Sequence, residues 1–400
     1  MSDQFSILIV EDDPIIADLY QKRFVVDGFD VTLAGDGQVA IDLLKKSKPD
    51  AVLLDLMLPQ VNGIEVVKFI RADDKLKKLP VIIFTNAYLG NMVQAAWKAG
   101  ADKCLTKAIC KPSQVVQLVR ATIEERGGHA GTRKSKAAKP HSAGKGGSDE
   151  DDFRRRFLVD SPQILSEVRT RLQAVVKSET DTAYLHWLEE RSNLLKEMYH
   201  VLHSLTGKAG AAGFGQVAQL SSALEAMLQE LADTPQNTSS SVLRTFAHAV
   251  DFLALILSGT TPAALNEHEK PVALLVDDEV FSRRAVISGL EKVGLSYVSM
   301  SSPAEALEVL DKQTFDLIFL DIDMPEMDGF TLCENLRKNP AHKNTPVIFV
   351  TGLNDFQVRA KSSLAGGNDI IGKPFLPIEL AVKALTHLYK NKKKSKSKSN

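Results

Sequence analysis

Cysteine is scarce: Cys104, Cys110 and Cys333 are all that 400 residues contain. The number is odd and no C-x-x-C pair occurs, which argues against both a disulfide framework and a zinc site and points to a reducing, cytoplasmic setting. Long apolar runs are missing too. The longest, Phe252 to Leu257, falls far short of the roughly 20 residues a membrane span needs, so no membrane insertion is expected. The amino terminus, MSDQFSILIVEDD, has no basic region ahead of its four apolar residues and reads as a strand start rather than a signal peptide. Net charge is only −1, and six lysines crowd into Lys390 to Lys398. The folded parts are therefore acidic, with no footprint for direct nucleic-acid binding. The one glycine-rich basic stretch, GKGGS at Gly144 to Ser148, is no phosphate loop, because G-x-x-x-x-G-K-[ST] is not satisfied and no strand precedes it.

What is present is ordinary globular composition, 44% hydrophobic and 25% charged, in a chain long enough for about two to four domains. Apolar runs at Ile7–Val10, Ala51–Leu54, Val81–Phe84 and, more weakly, Lys103–Leu105 read as buried parallel strands. Segments of helical period lie between them (Pro14–Asp27, Gln38–Lys46, Gly63–Arg71, Asn91–Ala99), and the last helix is Pro112–Glu125. Strand alternating with helix predicts a doubly wound α/β domain over 1–126. Residues 127–152, rich in Gly, Lys, Ser and Ala, read as a flexible linker with a mean reach of roughly 5–6 Å × √n. From 153 to 258 four helical periods without strand alternation (Phe153–Lys177, Thr182–Leu205, Phe214–Leu231, Ser241–Leu257) predict a four-helix bundle, with Asp181 capping the second helix. A shorter linker, 259–270, leads into a second α/β domain over 271–390. A disordered Lys/Ser tail, 391–400, ends the chain.

The two α/β domains are copies. Glu11, Asp55, Thr85 and Lys107 are separated by 44, 30 and 22 residues, and so are Asp277, Asp321, Thr351 and Lys373. Each falls at the carboxyl end of an expected parallel strand, where open α/β sheets bind ligands. Three carboxylates gathered there, Glu11, Asp12 and Asp55 in the first copy, repel one another unless a cation joins them. Mg²⁺ suits the donor set, since it accepts one or two carboxylates plus phosphate and water. A lysine and a threonine beside it can hold phosphoryl oxygens while a carboxylate acts as nucleophile. A calcium loop is not expected at DIDMPEMDG, which lacks the glutamate at position 12.

These motifs resemble the receiver domains of two-component response regulators. In the second copy LIFLDIDMPEMDG matches the phosphoacceptor loop at Asp321, Asp277 and Asp278 the acidic pair, Thr351-Gly352 the switch threonine and its small neighbour, and Lys373-Pro374 the lysine and proline. The resemblance implies phosphorylation of Asp321, with Mg²⁺ on Asp278, Asp321 and the Asp323 carbonyl and Asp277 acting through water. In the first copy, AVLLDLMLPQVNG implies phosphorylation of Asp55, with Glu11, Asp12 and the Met57 carbonyl as its metal set. Asn86 stands there for the small residue, Ala108 for proline and Cys104 for a frequent aromatic; Ile370 fills that aromatic place in the second copy. Lys111 rivals Lys107 but has the wrong spacing. The second receiver is therefore expected to be the more typical phosphoacceptor.

Between the receivers, Met198 to Gly215 reads as MYHVLHSLTGKAGAAGFG. His203, Gly207 and Gly210 fall at i, i+4 and i+7 on one helical stripe, so an imidazole sits beside positions without side chains. Glycine in a helix interior costs about 0.5–1 kcal/mol relative to alanine, and close approach by another backbone is a reason to keep it. The run resembles the histidine phosphotransfer (HPt) signature at His203, Leu205, Gly207, Ala209, Gly210 and Gly213, with Thr206 in place of lysine. Lys208 lies about 140° round the helix from His203. His200 competes one turn earlier but lacks the glycines. The resemblance implies that His203 carries a phosphoryl group on its outer ring nitrogen.

The expected architecture is two flavodoxin-like (βα)5 receivers flanking an HPt four-helix bundle. The expected function is a bacterial two-component phosphorelay, Mg²⁺-dependent, with a histidine kinase upstream and a signalling protein downstream. It needs an exposed, unpaired His203 ring. No ATP site and no DNA-binding output segment are read in the chain. A rival reading is a scaffold in which the first receiver is a docking or dimerisation module.

Overall fold

The apolar runs that read as strands are all strands of the first of two parallel sheets in a computed structural model describing residues 4–86, 90–107, 110, 112–126, 146–177, 184–258, 271–352 and 356–396. The first sheet belongs to β1 (Phe5–Val10), α1 (Pro14–Val26), β2 (Phe29–Ala34), α2 (Gly37–Lys46), β3 (Ala51–Leu54), α3 (Gly63–Ala72), β4 (Val81–Thr85), α4 (Gly90–Ala99), β5 (Lys103–Thr106) and α5 (Pro112–Glu125). Its order is β2-β1-β3-β4-β5, with β1 the switch point from which the chain winds both ways. Isoleucine, leucine and valine of β1, β3 and β4 are buried on both faces, as helices on each side of a parallel sheet require.

One strand of this sheet escaped the sequence reading. β2 lies at the sheet edge and pairs only with β1; its alternating burial hides the continuous apolar run that marks an inner strand.

Four helices follow: α6 (Gly146–Lys177), α7 (Tyr184–Ala211), α8 (Gly215–Asp233) and α9 (Ser240–Ser258). α6 begins inside the stretch read as linker. α7 stops at Ala211, so the run Met198 to Gly215 is not one helix. Gly213 adopts φ +79°, and Phe214 N–H closes on the Ala209 carbonyl at 2.8 Å, an end that favours glycine. α9 is long and apolar enough to cross a membrane by length and composition, but half of it is buried within the protein. Asp181, Ala108, Lys111, the 127–145 and 259–270 linker residues and 397–400 lie outside the described residues.

The second sheet belongs to β6 (Val272–Val276), α10 (Val280–Lys292), β7 (Ser296–Met300), α11 (Pro303–Leu310), β8 (Leu317–Asp321), α12 (Gly329–Lys338), β9 (Val347–Thr351), α13 (Phe356–Leu364), β10 (Asp369–Gly372) and α14 (Pro377–Lys396). Its strand order repeats that of the first. α14 continues to Lys396, into the tail expected to be disordered.

The chain divides into two compact units that share out the helical region. One joins the first sheet to the start of α6, the end of α7 and the start of α8; there Phe157 stacks on Phe214 at 5.4 Å. The other joins the remaining helical lengths to the second sheet. In it Glu379 on α14, 2% exposed, accepts from Ser241 Oγ at 2.7 Å and Thr245 Oγ1 at 3.0 Å on α9.

Candidate functional site

Each sheet brings its four spaced residues to one edge. In the second, Asp321 ends β8, and Lys373 Nζ lies 2.8 Å from its Oδ2 and 3.1 Å from Asp277 Oδ2. Asp277 is held by the Glu279 amide at 2.9 Å and by the Ser282 hydroxyl. Carboxylate oxygens of Asp277, Asp278 and Asp321 lie within 4.8 Å of one another. Burial pushes the Asp321 carboxyl up, and Asp277 adds to the push against Lys373. That repulsion is what a divalent cation would relieve, so this acidic pocket is consistent with a metal-binding phosphoacceptor site. Thr351, at the end of β9, is fully buried, and Asp323 sits exposed in the loop after β8.

That loop is shaped alike in both copies. Gln60 and Glu326 have φ of 63° and 66°, a left-handed turn that sends the chain back toward the strand end. The glycine three residues later is required: a Cβ on Gly63 would stand 2.2 Å from the Asp55 carbonyl oxygen, and on Gly329 2.0 Å from that of Asp321. A side chain there would push the helix off the strand that carries the carboxylate.

The first pocket has the same frame but is closed. Lys107 Nζ lies 2.5 Å from Asp55 Oδ2 and 2.6 Å from Glu11 Oε2. Glu11, Asp55 and Lys107 are each no more than 5% exposed. Burial drives the Glu11 carboxyl up to about 7 against the pull of Lys107. Asp55 feels the same burial, but Lys107 and His203 outweigh it and hold its carboxyl well below the usual range. Thr85 Oγ1 is buried with no hydrogen-bond partner among the described residues. Met57 is placed by its amide, which donates to Asp55 Oδ1 at 3.1 Å.

The end of α7 closes it. His203 Nε2 faces Asp55 Oδ2 at 3.7 Å, and ligand atoms of Asp12, Asp55 and His203 lie within 4.8 Å of one another. Asn86, directly after β4, donates through Nδ2 to the His203 carbonyl at 2.9 Å. Ser222 Oγ on α8 donates to the Asn86 carbonyl at 2.5 Å. Asp13, the N-cap of α1, accepts from Ser204 Oγ at 2.9 Å and pairs with Lys208 Nζ at 3.3 Å. A Cβ on Gly207 would stand 2.4 Å from Ile16 Cδ1.

The exposed, unpaired imidazole expected from the sequence is therefore corrected: the ring is 11% exposed because a receiver lies over it. Lys208 does not replace the lysine missing at Thr206, since its ammonium goes to Asp13. Thr206 is itself fully buried and donates to the Leu202 carbonyl at 3.0 Å. His200 is exposed. Sequence reasoning treated Asn86 only as a departure and did not read Asp13, Ile16, Ser204 or Ser222; the glycine at 207 was the one sign of a close partner.

Gly207→Ala should separate two effects. Helix propensity favours it by about 0.5–1 kcal/mol, yet the methyl meets Ile16. A raised melting temperature with slower arrival of phosphoryl at His203 is expected. Ile16→Val, which removes the clashing Cδ1, should restore the rate in the double variant; no restoration would discard this contact as the cause.

Residues 7–120 and 273–385 match the response regulator receiver domain family, and residues 152–252 match the Hpt domain family. The chain belongs to the response regulator receiver family. This response regulator has receiver–Hpt–receiver organisation, which implies phosphorelay signalling, and none of the family matches is a DNA-binding domain. It is similar to the DNA-binding response regulator MtrA of Mycolicibacterium smegmatis, 38% identical over 117 residues, 29% of this chain and 50% of MtrA. It is similar also to the probable transcriptional regulator ycf27 of Porphyridium aerugineum, 35% identical over 28% of this chain and 45% of ycf27. The response regulator thus spans about half the length of these curated relatives. A solved putative response regulator from Chloroflexus aurantiacus is 30% identical over 30% of this chain and 99% of its own, with a TM-score of 0.30.

Proposed function

We propose that this response regulator is a cytoplasmic phosphorelay protein that moves phosphoryl between Asp55 and His203, with Asp321 as a second acceptor. The facing of His203 Nε2 and Asp55 Oδ2 at 3.7 Å carries the reading. In the forward step the Nε2 lone pair of neutral His203 attacks phosphorus on phospho-Asp55. The P–N bond forms, the P–Oδ bond breaks, and its electron pair stays on the Asp55 carboxylate. Lys107 and Thr85 would hold the equatorial oxygens at Asp55, and Lys373 and Thr351 those at Asp321. Mg²⁺ would be held by Glu11, Asp12, Asp55 and the Met57 carbonyl in one pocket, and by Asp277, Asp278, Asp321 and the Asp323 carbonyl in the other; when bound it neutralises phosphoryl charge. Upstream stands a histidine kinase and downstream another signalling protein. Transfer between high-energy phosphoryl groups needs positioning more than binding energy.

The burial of Asp55 under α7 also favours a second reading, in which the first receiver is mainly a docking module that is loaded slowly from outside.

Incubation with acetyl phosphate and Mg²⁺ tests the assignment. Intact mass should show incorporation that chelation of the metal prevents. The alkali-stable part of the label should vanish in His203→Gln and survive in His200→Gln. A wild-type chain that takes up no phosphoryl would leave only the docking module.

A further inference from the structure

We infer that Asn86 is the positioning residue that selects the first receiver, rather than the second, as the partner of His203. The inference rests on the Asp55–His203 reading above and adds the basis of the choice.

Asn86 is 1% exposed and makes its contacts across the docking surface. Its Nδ2 donates to the His203 carbonyl at 2.9 Å and lies 3.4 Å from Nδ1 of the same residue. Its own carbonyl accepts from Ser222 Oγ. One side chain therefore grips the main chain of the residue whose ring must be aimed, from the position next to Thr85. An interior helix carbonyl is ordinarily screened by the side chain one turn later. Here that residue is Gly207, which has none. A Cβ built there would lie 3.8 Å from Asn86 Nδ2, so a larger side chain would crowd the approach. The glycine that a lone helix would not choose thus admits both Ile16 and the Asn86 amide.

The second receiver has Gly352 at the matching place, after Thr351. A glycine has no amide to donate, so its pocket, though equipped with Lys373 and Asp321, lacks this grip. Its contacts with the helical region in its own unit run instead through Glu379 on α14, Lys292 on α10, which reaches Glu230, and Lys390 over the Phe252 ring. Asn86, which looks like a flaw in the receiver motif, is a fitting for one histidine.

The test uses the full chain carrying Asp321→Ala, loaded with acetyl phosphate and Mg²⁺, with alkali-stable and acid-stable label followed in time. Asn86→Ala should lower the ratio of His203 label to Asp55 label about 10-fold, the scale of one hydrogen bond. Asn86→Asp keeps the shape but turns an acceptor toward the His203 carbonyl, and should lower it further, about 100-fold. An aspartate variant that transfers as well as the alanine variant would overturn the inference, because space filling alone would then suffice. Should either variant fail to fold, Ser222→Ala carries the question: a shift of the ratio in the same direction, about 3-fold, supports the grip, and no shift removes it. The underlying reading fails separately, if Asp55→Ala leaves the alkali-stable label in place.

Discussion

Asp55→Ala should remove alkali-stable phosphoryl from His203 by about 1,000-fold or more, the scale of losing a nucleophile, while Asp321→Ala leaves it within about twofold because that aspartate is not needed for the step. The asymmetry follows from what faces the imidazole. Asp55 Oδ2 is 3.7 Å from Nε2, and the contact is fixed at three further places, Asn86 on the His203 carbonyl, Asp13 on Ser204 and Lys208, and Ile16 against Gly207. Small phosphodonors reach the two receivers unequally. Lys373 keeps 20% of its side-chain surface exposed where Lys107 keeps 2%, so total incorporation in the wild type should be dominated by Asp321 even if, as proposed, transfer to His203 runs through Asp55. Time courses of both label types in the two variants decide it; equal alkali-stable label in Asp55→Ala and wild type would end the assignment.

The second large effect is on stability. Among the described residues Lys107 is the cation that pairs with both Glu11 and Asp55, and all three groups are buried. Lys107→Met leaves two carboxylates without it in a low-dielectric pocket. Breaking a buried pair in this way costs about 3–5 kcal/mol, so thermal or denaturant unfolding of the first unit should shift strongly. Lys373→Met should cost less, because Lys373 keeps 20% of its side-chain surface exposed although Asp277 and Asp321 are buried. Adding Glu11→Gln to Lys107→Met should recover part of the loss by removing one stranded charge. A Lys107→Met chain as stable as wild type would show that the pocket is better hydrated than its burial indicates.

Much of this was legible in the residues themselves. Inner strands announce themselves by unbroken apolar runs, and the repeated 44, 30 and 22 spacing marks a duplicated site whatever the loops between do. Both depend on local pattern and chain length, which survive without coordinates. Edge strands showed less: β5 read only weakly, and β2, with a single neighbour, alternates like an exposed segment and was missed. The ends of α6, α7 and α14 were misplaced for a related reason. Glycine and lysine read as linker or tail, but a helix can continue through them, and Gly213 ends one by its backbone angle.

The amino acids alone determined that two like carboxylate pockets and one glycine-flanked histidine exist, because each is a cluster of side-chain types at set intervals along the chain. Only the tertiary structure decided which pocket meets the histidine. That choice rests on Asn86, Asp13 and Ile16 meeting α7 across 117 to 191 positions of sequence, and shape and hydrogen-bond direction at such a meeting have no period for a sequence to display.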